Sequence, residues 1–479
     1  MKKVFTSLNK ALLLLLLLIF CTFNISGEKE DNLYINESST IEENQGDDTS
    51  NNSIEEVNDG ELGNKTETTT NNNEKDIENI INSELEKSKD KIENGSSVVL
   101  ENNQIKKSKI DPKKPVKYAI DKEKEGLSKY KGELLKYVVT KDGYVLDKNS
   151  ENKLHPIASL TKVMNILVAL DEVKKGNVNL EDKVCFNPQT ANIGGSWLNV
   201  KVGDCYKLKD LLRSEIIYSA NNSAYLVAYH VGKGNIDTFV KLMNEKAKEL
   251  GMTNTKFYTP AGLPTSMTGK DLDVSTANDL YTMAKAAISD DNIREWSSES
   301  EFIALNSNNV QIVYKNRNKL LDKYGIYGLK TGFHEQAGYN MIVTSKQGNI
   351  EIISVILGAS TETQRLTEQL KEFKTISNKM SLVYDKNKDM GEFNLKYAKK
   401  RKINGILSDK VYEIEGNNYE YKIKDLKVKT GVSKGMTIGK LEIIKENEVI
   451  SSVDIISTED VEELSGFRKF LRIISFGLF

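Results

Sequence analysis

The chain has 479 residues, of which 38% are hydrophobic and 28% charged, and its net charge at pH 7 is −2. This length predicts roughly three modules, and the composition excludes collagen-like and multi-span membrane proteins. With three cysteines and three histidines we expect no metal site and no cofactor, and the small net charge does not indicate a nucleic-acid partner.

The N-terminus has the pattern of a secretory signal peptide. Lys2 and Lys3 precede an uncharged, leucine-rich run, and small residues follow at Ser26 and Gly27. The apolar run is short for a spanning helix, which needs about 20 residues. We therefore predict that residues 1–27 are the signal peptide of an exported protein, with an uncleaved membrane anchor as the alternative.

An acidic segment follows the predicted signal. Residues 28–94 contain 20 acidic residues against 6 lysines, and Tyr34 is their only aromatic residue. Such a segment cannot bury enough apolar surface to offset the entropy lost when its backbone is ordered. We predict that residues 28–110 form a disordered acidic spacer.

Strand and helix patterns alternate in the next part of the chain. An apolar run predicts a buried helix over 159–173. Further helical patterns cover 209–231, 237–250 and 361–383, and strand patterns cover 137–140, 144–146, 303–314, 328–331, 339–344 and 350–357. Strands at both ends with helices between them predict one sheet covered by helices, plus a helical lobe, in a domain over residues 111–385.

Short alternating runs separated by turn residues then predict a small β-rich domain over residues 386–457. Its predicted strands are 411–414, 419–423, 426–429, 439–444 and 449–455.

The last segment, residues 458–479, is predicted to contain an amphipathic helix. Phe467 and Phe470 recur at helical spacing, and Arg468 and Lys469 add positive charge. These features are typical of a helix that lies in an anionic membrane surface. The alternative is a terminal helix packed on its own domain.

The first candidate for chemistry is Ser159-Leu160-Thr161-Lys162. Residues three apart share a helix face, so the Ser159 hydroxyl would lie beside the Lys162 amine. The amine can act as a base only when neutral, and burial or a nearby cation favours the neutral form. The pattern also occurs at Ser7, Ser88 and Ser128, but only at Ser159 does it open a buried apolar helix.

The second candidate is Ser219-Ala220-Asn221, which follows an apolar helical run. A second hydroxyl and a carboxamide can relay a proton and hold a substrate carbonyl. The same tripeptide pattern recurs at Ser50, Ser150 and Ser307, so local capping is the alternative.

The third candidate is Lys330-Thr331-Gly332 on a predicted strand. A cation and a hydroxyl can clamp a carboxylate, and glycine allows close backbone approach. Lys429-Thr430-Gly431 repeats the tripeptide, where a hairpin is the more favoured interpretation.

In this order, Ser-x-x-Lys, Ser-x-Asn and Lys-Thr-Gly resemble the signature of the active-site serine penicillin-recognising enzymes. The chain resembles in particular the low-molecular-mass penicillin-binding proteins, which are serine D-alanyl-D-alanine carboxypeptidases. Further matching stretches are Ser219–Ala224, Gly251–Thr255, Ala261–Pro264, Asp273–Leu280 and Asn318–Leu321. The resemblance implies an α/β sandwich of the serine β-lactamase/transpeptidase-like type over residues 111–385. It also implies that the small all-β domain and the amphipathic C-terminus are that family's stalk and membrane anchor.

The resemblance also implies roles for the motif residues. Ser159 is the expected nucleophile on peptidoglycan stem peptides and on β-lactams, and Lys162 is its expected base. Ser219 is expected to pass the proton to the leaving amine while Asn221 holds the stem peptide. The expected substrate-binding residues are Lys330, Thr331, Gly332 and Phe333. The backbone N–H groups of Ser159 and Phe333 would form the oxyanion hole.

Two positions depart from the family pattern. His334 stands where threonine or serine is common, and Ala261 stands where a polar residue is usual. The resemblance therefore leaves a D,D-endopeptidase and a catalytically weakened wall-binding homologue open as alternatives. A β-lactamase is disfavoured because no deacylating glutamate motif is evident. Cys185 and Cys205 are able to pair after export, and the sequence leaves this open.

Overall fold

A computed structural model describes residues 110–111, 113–119, 129–306 and 308–474 of the chain. The predicted signal peptide, almost all of the predicted spacer and the last five residues lie outside the described residues.

The described strands, in chain order, are β1 (Val116–Tyr118), β2 (Leu135–Thr140), β3 (Val145–Asn149), β4 (His155–Pro156), β5 (Lys183–Cys185), β6 (Cys205–Lys207), β7 (Val274–Ser275), β8 (Glu301–Leu305), β9 (Gln311–Lys315), β10 (Ile326–His334), β11 (Gly338–Gln347), β12 (Ile350–Ala359), β13 (Met380–Tyr384), β14 (Asp389–Asn394), β15 (Lys402–Leu407), β16 (Val411–Ile414), β17 (Glu420–Asp425), β18 (Thr437–Lys445) and β19 (Glu448–Ser457). The described α-helices are α1 (Thr161–Lys174), α2 (Pro188–Ala191), α3 (Leu208–Ile217), α4 (Asn221–Val231), α5 (Ile236–Glu249), α6 (Thr265–Thr268), α7 (Ala277–Ala287), α8 (Asp291–Ser297), α9 (Glu362–Asn378) and α10 (Gly466–Ile474).

A five-stranded antiparallel sheet forms the centre of the first domain, in the order β10-β11-β12-β2-β3. Its long strands β10, β11 and β12 are buried along almost their whole length because both faces of the sheet are covered. On one face, Leu366, Leu370 and Phe373 of α9 pack against Val343 and Ile352 of the sheet. The larger core, with α1 at its centre, lies on the other face.

Helix α1 is the central helix that the apolar run predicts. Every side chain from Thr161 to Leu170 is buried, as expected of a helix that is apolar on all sides. The first candidate motif, Ser159–Lys162, spans the 3₁₀ turn Ala158–Leu160 and the first residues of this helix.

Three predicted elements differ in the structure. The helical pattern over 209–231 is interrupted at Ser219, whose φ of 70° lies in the left-handed region and separates α3 from α4. The strand pattern over 303–314 is a hairpin, since the amide of Asn306 donates to the carbonyl of Val310 and closes a turn between β8 and β9. The predicted helix over 361–383 ends at Asn378 because the residues that follow pair with β16.

A second five-stranded sheet, in the order β14-β15-β19-β18-β17, forms the C-terminal domain. The sequence did not predict β14, whose single buried side chain, Phe393, gives no alternating pattern, or β15, which Asn404 and Gly405 interrupt. The predicted strand over 426–429 is irregular, and Lys427 there has a φ of 51°. Within the described part of the chain, the helices are too short or too polar to cross a bilayer.

Cys185 and Cys205 are joined in a disulfide. They face each other at the end of the small antiparallel pair β5–β6. The pairing that the sequence left open is therefore present in the structure.

Candidate active site

The predicted nucleophile lies in a 3₁₀ turn, Ala158–Leu160, that leads into α1. Ala158 has a φ of 49°, a left-handed conformation that is uncommon for a residue with a side chain. The turn is anchored from outside, because the amide of Ile157 donates to the carbonyl of Asp273 at 3.0 Å. Ser159 thus stands just before the α-helix that the sequence predicted it to open.

Lys162 lies in the first turn of α1 and is completely buried. Its Nζ donates to Ser159 Oγ at 2.8 Å, to Asn221 Oδ1 at 2.7 Å and to the carbonyl oxygen of Ala261 at 3.0 Å. An amine buried without acceptors would be strongly destabilising, and these three acceptors offset that cost. The contacts bring the first and second motifs together around one amine, within hydrogen-bond reach of the hydroxyl.

The Ser-x-Asn motif forms the turn between α3 and α4. Ser219 is buried, and Asn221 is the first residue of α4. Asn221 Nδ2 donates to the carbonyl of Gly194 at 2.6 Å, and its backbone amide donates to the carbonyl of Ser196 at 2.7 Å. These bonds fix the carboxamide so that its oxygen faces the Lys162 amine.

The Lys-Thr-Gly motif lies on β10, at the edge of the central sheet. The Lys330 side chain is buried, and its Nζ donates to the carbonyl of Thr331 at 2.9 Å. A Cβ added to Gly332 would lie 2.8 Å from the carbonyl oxygen of Ile157 and 3.2 Å from the amide nitrogen of Ser159. Only glycine allows this strand to run directly against the nucleophile turn. The third motif therefore contacts the first through its backbone.

Phe333 and His334 end the same strand. The Phe333 ring stacks on Tyr339, with centroids 4.1 Å apart. His334 is buried, and its Nδ1 accepts from the amide of Ala337 at 3.1 Å. Burial, and secondarily the nearby His155, lowers the pKa of His334 to about 4. The ring is therefore neutral at pH 7, with its proton on Nε2 because Nδ1 accepts.

Asp273 supports the nucleophile turn and α1 from behind, a role that the sequence did not reveal. Its buried carboxyl accepts from the Thr161 hydroxyl at 3.0 Å, from the Thr259 hydroxyl at 2.8 Å and from the amides of Tyr258 and Thr259. Burial raises the pKa of this carboxyl, and the hydrogen bonds oppose the rise. The residue lies within a stretch matched to the family, but an isolated aspartate before a short strand carries no distinct signal.

Glu215 is a second buried carboxyl close to the site. It lies on α3, four residues before Ser219, and is fully buried. Neither carboxyl oxygen has a hydrogen-bond partner among the described residues. Burial raises the pKa of Glu215 well above its ordinary value, and the charges of Lys162 and Lys330 oppose that rise. A glutamate within an apolar helical run was not identified from the sequence.

The remaining candidates lie elsewhere. The second Lys-Thr-Gly copy, Lys429–Gly431, is in the irregular segment between β17 and β18. His155 is buried, and its Nε2 lies 2.7 Å from the carbonyl oxygen of Ala337. Within the described ranges there is no group of three or more histidine, cysteine, aspartate or glutamate side chains arranged to hold a metal ion.

Together the site holds the Ser159 hydroxyl, the Lys162 amine in contact with it, and a glycine-containing strand against the Ser159 backbone. A hydroxyl paired with an amine can form an acyl-enzyme without a metal ion or a histidine. A Ser–Lys pair at the start of a buried helix, beside a Ser-x-Asn turn and a Lys-Thr-Gly strand, defines the class of active-site serine penicillin-recognising enzymes.

Comparison with known proteins narrows this class. The family described as D-alanyl-D-alanine carboxypeptidase matches residues 136–361, and the family described as penicillin-binding protein 5, C-terminal domain, matches residues 379–463. The D-alanyl-D-alanine carboxypeptidase DacF of Bacillus subtilis (strain 168) is 30% identical over 336 residues, which cover 68% of this chain and 84% of that protein. The chain belongs to the D-alanyl-D-alanine carboxypeptidase family, and the predicted serine-type carboxypeptidase is confirmed.

Two further relatives bear on activity and fold. A D-alanyl-D-alanine endopeptidase of Escherichia coli (strain K12) is 32% identical over 219 residues, covering 45% of this chain and 67% of that protein. The crystal structure of a peptidoglycan synthesis regulatory factor (PBP3) from Streptococcus pneumoniae has a TM-score of 0.50 at 18% identity, covering 68% of this chain and 98% of that chain. The latter likeness concerns the fold alone, and it agrees with the predicted α/β sandwich with a small all-β C-terminal domain, which is confirmed.

Proposed function

We propose that this chain removes the terminal D-alanine from peptidoglycan stem pentapeptides through an acyl-enzyme on Ser159, and that β-lactams acylate the same hydroxyl. Membership of the carboxypeptidase family supports the reaction. The observation that carries the residue assignment is the 2.8 Å hydrogen bond between Lys162 Nζ and Ser159 Oγ inside a buried site.

In the proposed acylation step, Ser159 Oγ attacks the carbonyl carbon of the peptide bond between the two D-alanines. In this step Lys162 is neutral, so its two N–H groups donate to Asn221 Oδ1 and the Ala261 carbonyl while its lone pair faces Ser159 Oγ and takes the hydroxyl proton. The bond between carbonyl carbon and nitrogen then breaks, and the departing amine receives a proton by way of Ser219. The products are free D-alanine and an ester on Ser159.

The proposed oxyanion hole consists of the backbone N–H groups of Ser159 and Phe333. The close approach of Gly332 to the amide of Ser159 supports this pairing, because it sets strand β10 beside the nucleophile turn. One such donor is typically worth about 2.7–4 kcal/mol in the transition state. Lys330 and Thr331 are proposed to bind the terminal carboxylate of the peptide or the β-lactam, and Asn221 to hold the stem peptide.

In the proposed deacylation step, a water molecule adds to the ester carbonyl and gives its proton to Lys162. The ester bond to Ser159 Oγ breaks, Oγ regains a proton, and the shortened peptide leaves as a carboxylic acid. Hydrolysis of an ester on a regenerated hydroxyl follows the general scheme of covalent catalysis.

Covalent labelling of the purified chain with a fluorescent penicillin tests the assignment. We expect wild-type protein to be labelled, Ser159→Ala to be unlabelled, and Lys162→Ala to be labelled about 10²–10⁴-fold more slowly, the usual contribution of a general base. Ser128→Ala is the matched control because Ser128 opens another Ser-x-x-Lys sequence. Labelling of folded Ser159→Ala at the wild-type rate would contradict the proposal.

An endopeptidase activity is the second candidate, because a relative named as an endopeptidase is 32% identical over 219 residues. Release of D-alanine from a pentapeptide is compared with cleavage of a cross-linked peptide dimer. Carboxypeptidase action predicts that D-alanine release is faster, and dimer cleavage alone would favour the alternative.

The proposal also includes export and attachment to the outer face of the cytoplasmic membrane. The signal-like residues 1–27 support export. On α10 the exposed side chains Phe467, Phe470 and Ile473 support an interfacial helix. We expect that deleting residues 467–479 releases the mature protein from membranes, as measured by cell fractionation. Retention of that variant, with its signal shown to be cleaved by N-terminal sequencing, would contradict attachment through the helix.

A further inference from the structure

A cavity of about 740 Å³ lies in the C-terminal domain, far along the chain from the catalytic motifs. It is bounded by the end of β14 and the residues after it, by the irregular segment after β17 and by α10. Cavities of this size are typical of sites for small molecules or single groups of larger ligands.

The wall of this cavity is strongly basic. Lys396, Arg401, Lys427 and Lys429 line it together with Arg472 of α10. One carboxylate, Asp425, is also in the wall, and its Oδ1 accepts from the backbone amide of Lys427 at 2.7 Å. The lining residues therefore carry a net positive charge of four.

Four of the five cavity cations, Lys396, Arg401, Lys427 and Lys429, differ from neighbouring lysines in having no acidic partner among the described residues. Lys399, Lys400 and Lys402 pair with the carboxylates of Glu462, Glu459 and Glu392. In the part of the chain that the structure describes, no carboxylate lies within ion-pair distance of Lys396, Arg401, Lys427 or Lys429. Asp425 is the one acidic residue among the lining residues, so the cations still repel one another, and an anion between them relieves that repulsion.

An apolar surface begins at the edge of the cavity. Ile473 lines the cavity, and Phe467 and Phe470 lie about two turns and one turn earlier on α10. All three side chains are exposed, by 57%, 60% and 45%. The Arg472 guanidinium donates to the carbonyls of Lys396 and Ala398 and so holds the helix against the cavity wall. A basic recess and an exposed apolar face are thus fixed side by side.

We propose that this cavity binds the phosphate headgroup of an anionic phospholipid while the lipid's acyl chains lie along the exposed face of α10. The guanidinium of Arg401 suits phosphate because it can donate two parallel N–H bonds, and the lysines add point charges. The inference rests on the proposed membrane attachment and adds a specific ligand class to it. In this proposal the basic cavity of the β domain selects lipids with anionic headgroups. The apolar face of α10 binds the membrane whatever the headgroup is.

Vesicle co-sedimentation of the purified full chain tests the site. The vesicles contain phosphatidylcholine alone or phosphatidylcholine with phosphatidylglycerol. We expect Lys427→Gln/Lys429→Gln to weaken binding to the anionic vesicles by roughly 25-fold, at about fivefold per surface cation. Binding to phosphatidylcholine vesicles should not change. The control, Lys402→Gln/Lys424→Gln, removes two lysines that pair with glutamates in the same domain, and we expect it to retain anionic binding within twofold.

The possible results separate the two proposals. Equal loss for the cavity and control variants would overturn the headgroup site and indicate non-specific attraction. Equal binding of wild type to both vesicle types would also overturn it, while leaving the proposed attachment intact. No binding to either vesicle type would overturn the attachment and the headgroup site together.

A last measurement distinguishes lipid from free anion. Calorimetric titration with a short-chain phosphatidylglycerol, below its micelle concentration, should give binding that the cavity variant loses. Titration with inorganic phosphate should be much weaker, since it lacks acyl chains for α10. Binding of phosphate as tight as that of the lipid would overturn a lipid site.

Discussion

The backbone of Gly332 lies against that of Ser159, so that a Cβ on Gly332 would be 3.2 Å from the Ser159 amide nitrogen and 2.8 Å from the Ile157 carbonyl oxygen. We expect Gly332→Ala to push the strand away from the nucleophile turn. Displacement of a reacting group by about 1 Å can cost about 10²-fold in rate. The rate of acylation by a fluorescent penicillin should therefore fall by about 10²-fold. The rate is measured by quenching the labelling reaction at successive times and reading the gel fluorescence of the protein band.

The matched control for this prediction is Gly466→Ala, because a Cβ at Gly466 has no neighbour within 4 Å. It should acylate at the wild-type rate. Wild-type acylation by Gly332→Ala would show that the close backbone approach is not required.

Removing the Asp273 carboxyl should destabilise the protein and slow acylation. Asp273→Ala leaves the buried hydroxyls of Thr161 and Thr259 and two amides without their acceptor. Buried polar groups left unpaired cost about 1–3 kcal/mol each. We expect a loss of at least about 2 kcal/mol in urea unfolding, with the exposed Asp271→Ala as control. An unchanged unfolding midpoint would contradict this role.

Glu215 should make stability depend on pH. Burial raises the pKa of Glu215 in the folded protein, so the folded state holds a proton that the unfolded state releases above about pH 4.5, the ordinary value. The glutamate therefore lowers the free energy of unfolding as pH rises past that value. Below it, both states are protonated and the pH-dependent part of the penalty disappears.

We expect the free energy of unfolding, measured in urea, to be higher for Glu215→Leu than for wild type, and the difference to be larger at pH 8 than at pH 4. The cost of burying an unpaired polar group, about 1–3 kcal/mol, is removed at both pH values, whereas the proton-linked penalty is present only at the higher pH. Glu215→Gln should be much less stabilising than Glu215→Leu, because the amide remains a buried polar group. If the free energies of unfolding of wild type and Glu215→Leu differed by the same amount at pH 8 and at pH 4, a raised pKa of Glu215 would be ruled out.

The Cys185–Cys205 disulfide closes a loop with a sequence separation of 20 residues. A loop of this size is worth about 3 kcal/mol in the chain-entropy description. We expect Cys185→Ser/Cys205→Ser to lower the free energy of unfolding by that amount, measured in urea without reductant. Peptide mapping without reduction should recover the two cysteines in one linked fragment, and recovery of two free thiols from oxidised protein would contradict the pairing.

Much of the fold could be predicted because its central elements have strong patterns. Helix α1 and strands β11 and β12 each contain an apolar run, and the runs of the two strands are short and rich in β-branched residues, which favours strand over helix. The break at Ser219 could not be predicted, since apolar spacing continues from α3 into α4 and nothing local marks the left-handed residue. Strand β14 was missed because only Phe393 is buried in it.

Some residues of the candidate site could also be predicted from the sequence, and others could not. The order of the three motifs identifies Ser159, Lys162 and Lys330 as candidates, since each motif has a recognisable pattern. The carbonyl of Ala261, which accepts from Lys162, acts through the backbone and leaves no trace in residue type. Asp273 and Glu215 act through burial, which depends on elements far apart in the chain.

The contact between Asn349 and Tyr412 has a consequence for dissecting the protein. The Asn349 side chain donates to the Tyr412 carbonyl and accepts from its amide, and the Tyr412 ring lies in the same core as Phe373 of α9. Strand β16 therefore contributes to the core between α9 and the central five-stranded sheet, although it comes after the predicted boundary at residue 385. A chain truncated at that boundary would lose Tyr412 and Ile414 from this core, whereas truncation after the second sheet would keep both.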